Sequence, residues 1–187
     1  MTSIWTGSKV RLRGIEPEDW PAFQRFDDHT ADMRTVDRVY PPRSAAGYRQ
    51  WAAEEATRAP DGDEFRLAVE SLSERVVVGA LSTTGADRRA GRFGHGIGIG
   101  REHQRRGYAT DAVVVLLTSM FGELRYHRCE VSALAFNEAS IAPHRKIGFR
   151  VEGRLRDHEY CAGRHHDVVL LGITADEFAE RHPYAPL

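Results

Sequence analysis

The sequence predicts a mixed α/β (α+β) fold in which a central, mostly antiparallel sheet is flanked by helices. Three observations carry this reading. Residues Gly94 to Arg125 read as a strand, a cationic turn and a long amphipathic helix; two short β-rich runs precede that strand and make a meander with it; and a strand, a short helix and a terminal hairpin follow. The 187 residues suit one domain spanning 1–187, with a core from about residue 8 to residue 174.

Taken in order, Val10 to Ile15 alternates as a strand. Glu16-Pro17-Glu18-Asp19 opens a helix with a proline and acids in its first turn, and the helix runs to about Asp27, burying Trp20 and Phe23. Asp28 to Arg43 is polar, closes on Tyr40-Pro41-Pro42 and has no clear period, so it reads as a loop. Ser44 is a candidate cap for a second helix through Tyr48, Trp51 and Glu55, which stops before Pro60-Asp61-Gly62. The meander strands are Phe65–Glu70, Val76–Ser82 and Phe93–Gly100. Beyond the long helix, Arg128 to Ala135 is a strand, and Asn137 caps a helix that Gly148 terminates. The hairpin is Arg150–Tyr160 and His166–Ile173 around Ala162-Gly163, and a last helical turn opens at Thr174.

The middle of the chain is the most informative part. Gly96-Ile97-Gly98-Ile99-Gly100 alternates a large apolar residue with none, which leaves one face of the strand as bare backbone. Ala109, Ala112, Val113, Leu116, Leu117, Met120 and Phe121 recur at three- and four-residue spacing and make one apolar helix face. Between them lies Gln104-Arg105-Arg106-Gly107-Tyr108-Ala109. A helix N-terminus carries unpaired N–H groups and the positive end of the dipole, and a glycine there lets a phosphate approach the backbone. This is a candidate diphosphate cradle. The glycine spacing is not that of a dinucleotide fingerprint.

Composition sets limits on function. Hydrophobic residues make up 41% and charged residues 28%, an ordinary globular balance, and a net charge of -1 gives no footprint for nucleic acid or an anionic membrane. No apolar run approaches the ~20 residues of a membrane span, and no signal-peptide core is evident, so the expected location is cytoplasmic. The two cysteines, Cys129 and Cys161, form no C-x-x-C pair. His158, His165 and His166 flank the hairpin turn without a convincing ligand spacing, so no metal is expected. Homodimerisation is left open.

Gln104-x-x-Gly107-x-Ala109 resembles the Q/R-x-x-G-x-G/A signature of the GCN5-related N-acetyltransferase (GNAT) superfamily. The run Gly107 to Ala112 resembles its ribosomal-protein alanine acetyltransferase (RimJ/RimL-like) branch, with Asp111 where that branch often has Glu. Asn137-x-x-Ser140 followed by Lys146-x-Gly148-Phe149 resembles the second superfamily motif. Two motifs in order, separated by a helix and a strand, are far more specific than either alone, and the resemblance covers Val10 to Thr174.

The resemblance implies a splayed sheet that holds acetyl-CoA as co-substrate between its middle strands, and an amine acceptor, either a protein N-terminus or a small molecule. It implies cofactor contacts from Ile99, Gly100, Gln104, Arg105, Arg106, Gly107, Tyr108, Ala109, Thr110, Asn137 and Ser140, with residues 28–43 over the acceptor cleft. A strand N–H aimed at the thioester oxygen would act as an oxyanion donor, a group whose removal elsewhere costs about 3–4 kcal/mol of barrier. Many members carry a tyrosine four residues past the motif serine to protonate the leaving thiolate. Here that position is His144, so the general acid lies between Ser140, His144 and water, the alternative for His144 being an exposed side chain without a role. The nearest candidates for the general base are His95 on the strand and Glu102 in the turn; His95 is taken, either directly or through water, the alternative being a histidine that faces solvent or packs in the sheet. The alternative to an enzyme is a non-catalytic acyl-CoA-binding or sensing module.

Overall fold

The computed structural model describes residues 3–36 and 38–184. Seven strands form a single sheet: β1 (Val10–Arg13), β2 (Arg66–Ser71), β3 (Val77–Asp87), β4 (Arg92–Ile99), β5 (Arg128–Leu134), β6 (Arg150–Cys161) and β7 (Arg164–Thr174). Their order across the sheet is β1-β2-β3-β4-β5-β7-β6. Every neighbouring pair is antiparallel except β4 with β5. The helices are α1 (Trp20–Phe26), α2 (Thr30–Val36), α3 (Ala45–Thr57), α4 (Tyr108–Gly122), α5 (Glu138–Ile147) and α6 (Ala175–Arg181).

Most expected elements are present with ends shifted by a residue or a few. Pro17–Asp19 forms a tight 3-10 turn rather than the first turn of α1, as its proline and acids allow. Ser44 accepts from the Gly47 N–H at 3.1 Å and starts α3. Thr174 caps α6 in a reciprocal box with Glu177. One element differs in kind: the stretch read as a loop between 28 and 43 contains α2 (Asp37 of that stretch lies outside the described residues). Seven mostly polar residues offer too little apolar periodicity to show a helix in the sequence.

The sheet separates two cores. Neighbours in one strand fall into different clusters, Ala68 from Val69 and Val77 from Val78, as alternation across a pleat requires. The larger core holds α4, α5 and α6, with Phe93, Leu116, Leu117, Met120, Ile147 and Phe178 almost fully buried. Each such side chain contributes about 1.5–3 kcal/mol by leaving water. The smaller core holds Ile15, Ala22, Phe23 and Tyr48, with Trp20, Phe26 and Trp51 packed around it.

β4 stands at the boundary of the two. Its large residues serve the first core: Phe93 packs edge-on against Phe121 and Tyr126. Gly96 and Gly98, with Gly100 just past the strand, turn bare backbone toward α1 and α3, and a Cβ built on Gly100 would overlap the Phe26 ring. The parallel pairing of β4 with β5 is short, from Arg92↔Arg128 to Gly94↔Glu130. Beyond it β4 runs on to Ile99 beside β3 alone, while β5 runs on beside β7. The sheet therefore opens into a V at its middle.

Candidate active site

The open edge of β4 leads through the turn at 101–107 into α4. Gly107 is the N-cap at φ 83°, a left-handed conformation that suits glycine, and no side chain caps the helix. The first helical bond at this end runs from the Asp111 N–H to the Gly107 carbonyl at 3.1 Å, which leaves the N–H groups of Tyr108, Ala109 and Thr110 without an intrahelical acceptor. Arg105, also at positive φ (62°), is exposed and has no partner among the described residues. Arg106 pairs with the Glu74 carboxylate and donates to the Glu102 carbonyl at 3.1 Å. Gln104 ties the turn to the strand through Nε2–H to the Ile99 carbonyl, 3.1 Å.

Two groups at the cradle were not anticipated. Lys9 Nζ donates to the Arg106 carbonyl at 2.8 Å, and a Cβ on Gly107 would come within 2.9 Å of it, so a third cation stands over the helix start. His103 Nδ1 is buried and unpartnered among the described residues. Neither had a signal in a local motif, since Lys9 arrives from almost a hundred residues away. Its placement depends on Asp111, whose carboxylate accepts from the Ser8 N–H, the Ser8 hydroxyl, the Lys9 N–H and the Val10 N–H at 2.8–3.1 Å. Tyr108 is 6% exposed, and its hydroxyl lies 3.2 Å from Ser71 Oγ and beside the Arg106 guanidinium.

At the root of the V, His95 of β4 meets His144 of α5, Nε2 to Nε2 at 3.1 Å, with Phe149 against both rings. Both imidazoles are buried, 8% and 5% exposed, so His144 is not the exposed side chain of the alternative reading. The protons can be assigned. The Ser140 carbonyl only accepts, so His144 Nδ1, 2.7 Å away, carries a hydrogen. In a neutral ring His144 Nε2 is then an acceptor, and His95 Nε2–H donates to it. His95 Nδ1 is left to accept from the Cys129 thiol at 3.3 Å. Burial, then the facing His144, holds the His95 pKa down to about 3; burial lowers that of His144 and pushes the Cys129 thiol up. Both rings stay neutral at pH 7, and all four nitrogens are engaged. His95, the candidate general base, thus has both ring nitrogens engaged, because the chain that satisfies its burial also occupies its lone pair.

Asn137 caps α5 by accepting from the Ser140 N–H at 3.2 Å, and its Nδ2 donates to the Thr35 carbonyl of α2 at 3.2 Å. It is 8% exposed and joins the two sides of the cleft. Ser140 is half-buried one helical turn before His144.

The glycine face of β4 looks into a cavity of about 670 Å³ walled by Phe23, Phe26, Tyr48 and Trp51, with Asp27, Arg43 and Arg66 among its polar groups. Tyr48 Oη–H donates to Asp27 Oδ2 at 2.7 Å. Burial, reinforced by that carboxylate, raises the phenol pKa and keeps it a donor. Sequence periodicity marks these aromatics as helix faces but does not show that they surround a space.

A sheet that splays at its middle and delivers an open strand edge to an uncapped, cation-rimmed helix start is the architecture of GNAT acetyltransferases. The model of the acetyltransferase (GNAT) domain matches residues 9–150. The SPbeta prophage-derived uncharacterized N-acetyltransferase YokL of Bacillus subtilis (strain 168) is 35% identical over 181 residues, 96% of this chain and 98% of that protein. The putative ribosomal N-acetyltransferase YdaF of the same strain is 31% identical over 142 residues, 73% and 74% of the two chains. Among solved structures, that of spermidine N-acetyltransferase from Vibrio cholerae in complex with CoA and spermine shares the fold, with a TM-score of 0.77 over 91% of this chain and 98% of that one at 21% identity. The chain belongs to the GNAT family and is an acetyltransferase. Its assignment to the RimJ/RimL-like branch is not carried by these matches, of which YdaF alone bears a ribosomal name.

Proposed function

We propose that this protein transfers the acetyl group of acetyl-CoA to the primary amine of a small molecule, by direct attack within a ternary complex. The observation that carries the reading is the continuity of the open β4 edge with the N-terminus of α4. The unpaired N–H groups of Tyr108, Ala109 and Thr110, with Arg105, Arg106 and Lys9 around them, fit a diphosphate, and the bare edge from Gly96 to Gly100 fits the amide-bearing arm by strand-like pairing. No metal is needed to neutralise the diphosphate. The acceptor nitrogen, as a free amine, attacks the thioester carbonyl carbon; the C–S bond breaks; the thiolate takes up a proton and the new amide nitrogen loses one. With the imidazole nitrogens engaged, Asp27 or water is the proton acceptor in this reading, and the hydroxyl of Ser140 or water is the donor to sulfur.

The Vibrio cholerae structure with spermine supports a small amine. A protein N-terminal amine, as the RimJ/RimL-like branch would take, is the second reading, favoured by the name of YdaF. A calorimetric titration with acetyl-CoA, repeated on the Arg105→Ala, Arg106→Ala double variant, tests the cradle. Loss of two charge-assisted contacts should weaken binding by about 10- to 100-fold. No binding by a wild-type protein that keeps its circular dichroism spectrum would overturn the reading. Thiol release with small amines and with peptides then separates the two acceptor classes.

A further inference from the structure

We propose that the acceptor carries an anionic group, a carboxylate or a phosphate, several bonds from its amine, and that Arg43 and Arg66 hold that group. The proposal rests on the acetyl-transfer reading above and deepens it to a substrate class.

The cavity is charged unevenly. Asp32 is held by Arg101 in a two-point pair at 3.0 and 3.1 Å and is already neutralised. Asp27 uses one oxygen for Tyr48; its Oδ1 has no partner among the described residues and is the available seat for an ammonium. Arg43 lies over the Tyr48 ring at 5.3 Å and the Trp51 ring at 5.9 Å, and Arg66 lies over the Trp51 ring at 5.9 Å. Neither guanidinium pairs with a carboxylate among the described residues. A guanidinium that meets a ring spends none of its N–H donors on a carboxylate, and those donors can grip a carboxylate or phosphate with two parallel bonds. Both arginines line one cavity beside Trp51, and in this proposal they are its anion seat.

The two seats lie apart along the sheet. Asp27 follows Phe26, whose ring sits against Gly100. Arg66 is opposite Ser82, which is opposite Gly96. Gly96 and Gly100 are about 13 Å apart along a strand, and the arginine side chains span part of that distance, so the acceptor needs a spacer between amine and anion. The aromatic wall between them suits an apolar spacer. A diamine would bring its second ammonium against two guanidinium groups, so the charge pattern selects against the polycation bound in the Vibrio cholerae structure.

The test uses three probes with the same five-carbon chain: 5-aminopentanoate, pentylamine and 1,5-diaminopentane. Thiol release from acetyl-CoA gives kcat/KM for each, with wild-type protein and with Arg43→Gln, Arg66→Gln and the double variant, all checked by circular dichroism. The expected order is aminopentanoate above pentylamine above the diamine, the first step being on the order of tenfold. Either single variant should shrink that step and the double variant should abolish it. Calorimetry of each probe on CoA-saturated protein reads the same order without turnover. A diamine equal to or better than aminopentanoate, a ratio unchanged in the arginine variants, or no measurable aminopentanoate binding overturns the proposal. Acetyl-CoA binding in the same samples separates the two failures: without it the acetyl-transfer reading falls and takes this inference with it, whereas with it only the acceptor class is wrong.

Discussion

The cradle at the start of α4 and the cavity behind β4 lie on either side of one strand, yet they are built in opposite ways. The cradle is mostly backbone: N–H groups left over where a helix begins, a glycine that lets a ligand near, and cations at the rim. The cavity is side chains, drawn from α1, the segment before α3, α3 itself and β2. In the proposed function the backbone site takes the diphosphate and the amide-bearing arm of acetyl-CoA, and backbone groups tolerate many sequences. A side-chain site can be rebuilt residue by residue, so the same frame serves many acceptors. The β4 glycines join the two, since their lack of side chains both frees the strand edge and opens the cavity.

Four measurements would break or sharpen this division. The largest effect is expected from Asp111→Ala. It strips the acceptor from Ser8, Lys9 and Val10 and should cost about 2–4 kcal/mol in urea denaturation while releasing Lys9 from the cradle. Acetyl-CoA affinity should fall with it; unchanged affinity would show that Lys9 adds nothing there. Gly107→Ala puts a Cβ at left-handed φ and within 2.9 Å of Lys9 Nζ, and should lower stability by about 1–2 kcal/mol and weaken acetyl-CoA binding by calorimetry. Tyr48→Phe should do the reverse: it leaves acetyl-CoA affinity intact, raises the acceptor KM by freeing Asp27, and costs about 1 kcal/mol of stability. A change in acetyl-CoA affinity in that variant would mean the two sites are coupled.

The fourth measurement concerns the histidine pair at the root of the V. An imidazole in the unfolded chain titrates near 6.5, whereas burial holds His95 down to about 3 and His144 below its ordinary value. As pH falls, the unfolded chain therefore binds protons first. The contribution is fully present above about pH 6.5 and declines steadily toward pH 3. Urea midpoints between pH 8 and pH 4 should trace that decline, and the His95→Phe, His144→Leu double variant should flatten it. An equal slope in the variant would assign the pH dependence to other groups.

The cradle was legible because it is contiguous: Gln104 to Thr110 shows its glycine, its cations and its helix in one glance at the sequence. Asn137 and Gly148 were legible as cap and stop for the same reason, each acting on its own neighbours. The anion seat was not, because Arg43, Trp51 and Arg66 come together only once α3 lies across β2. α2 was hidden by polarity. The burial of His144 was hidden by its setting, Pro143 before it and Arg145 and Lys146 after it, which reads as a solvent face. What placed it inside is a partner on another element, His95, and no local pattern encodes that.

The clasp between Asp111 and residues 8–10 also orders events during synthesis. β1 takes its strand pairing from β2, whereas the clasp on residues 8–10 waits for a carboxylate about a hundred residues on. The clasp thus closes on a strand that already has a partner, and it brings Lys9 against the turn before α4. A chain cut short before residue 111 lacks the clasp, and with it the hold that brings Lys9 to the start of α4.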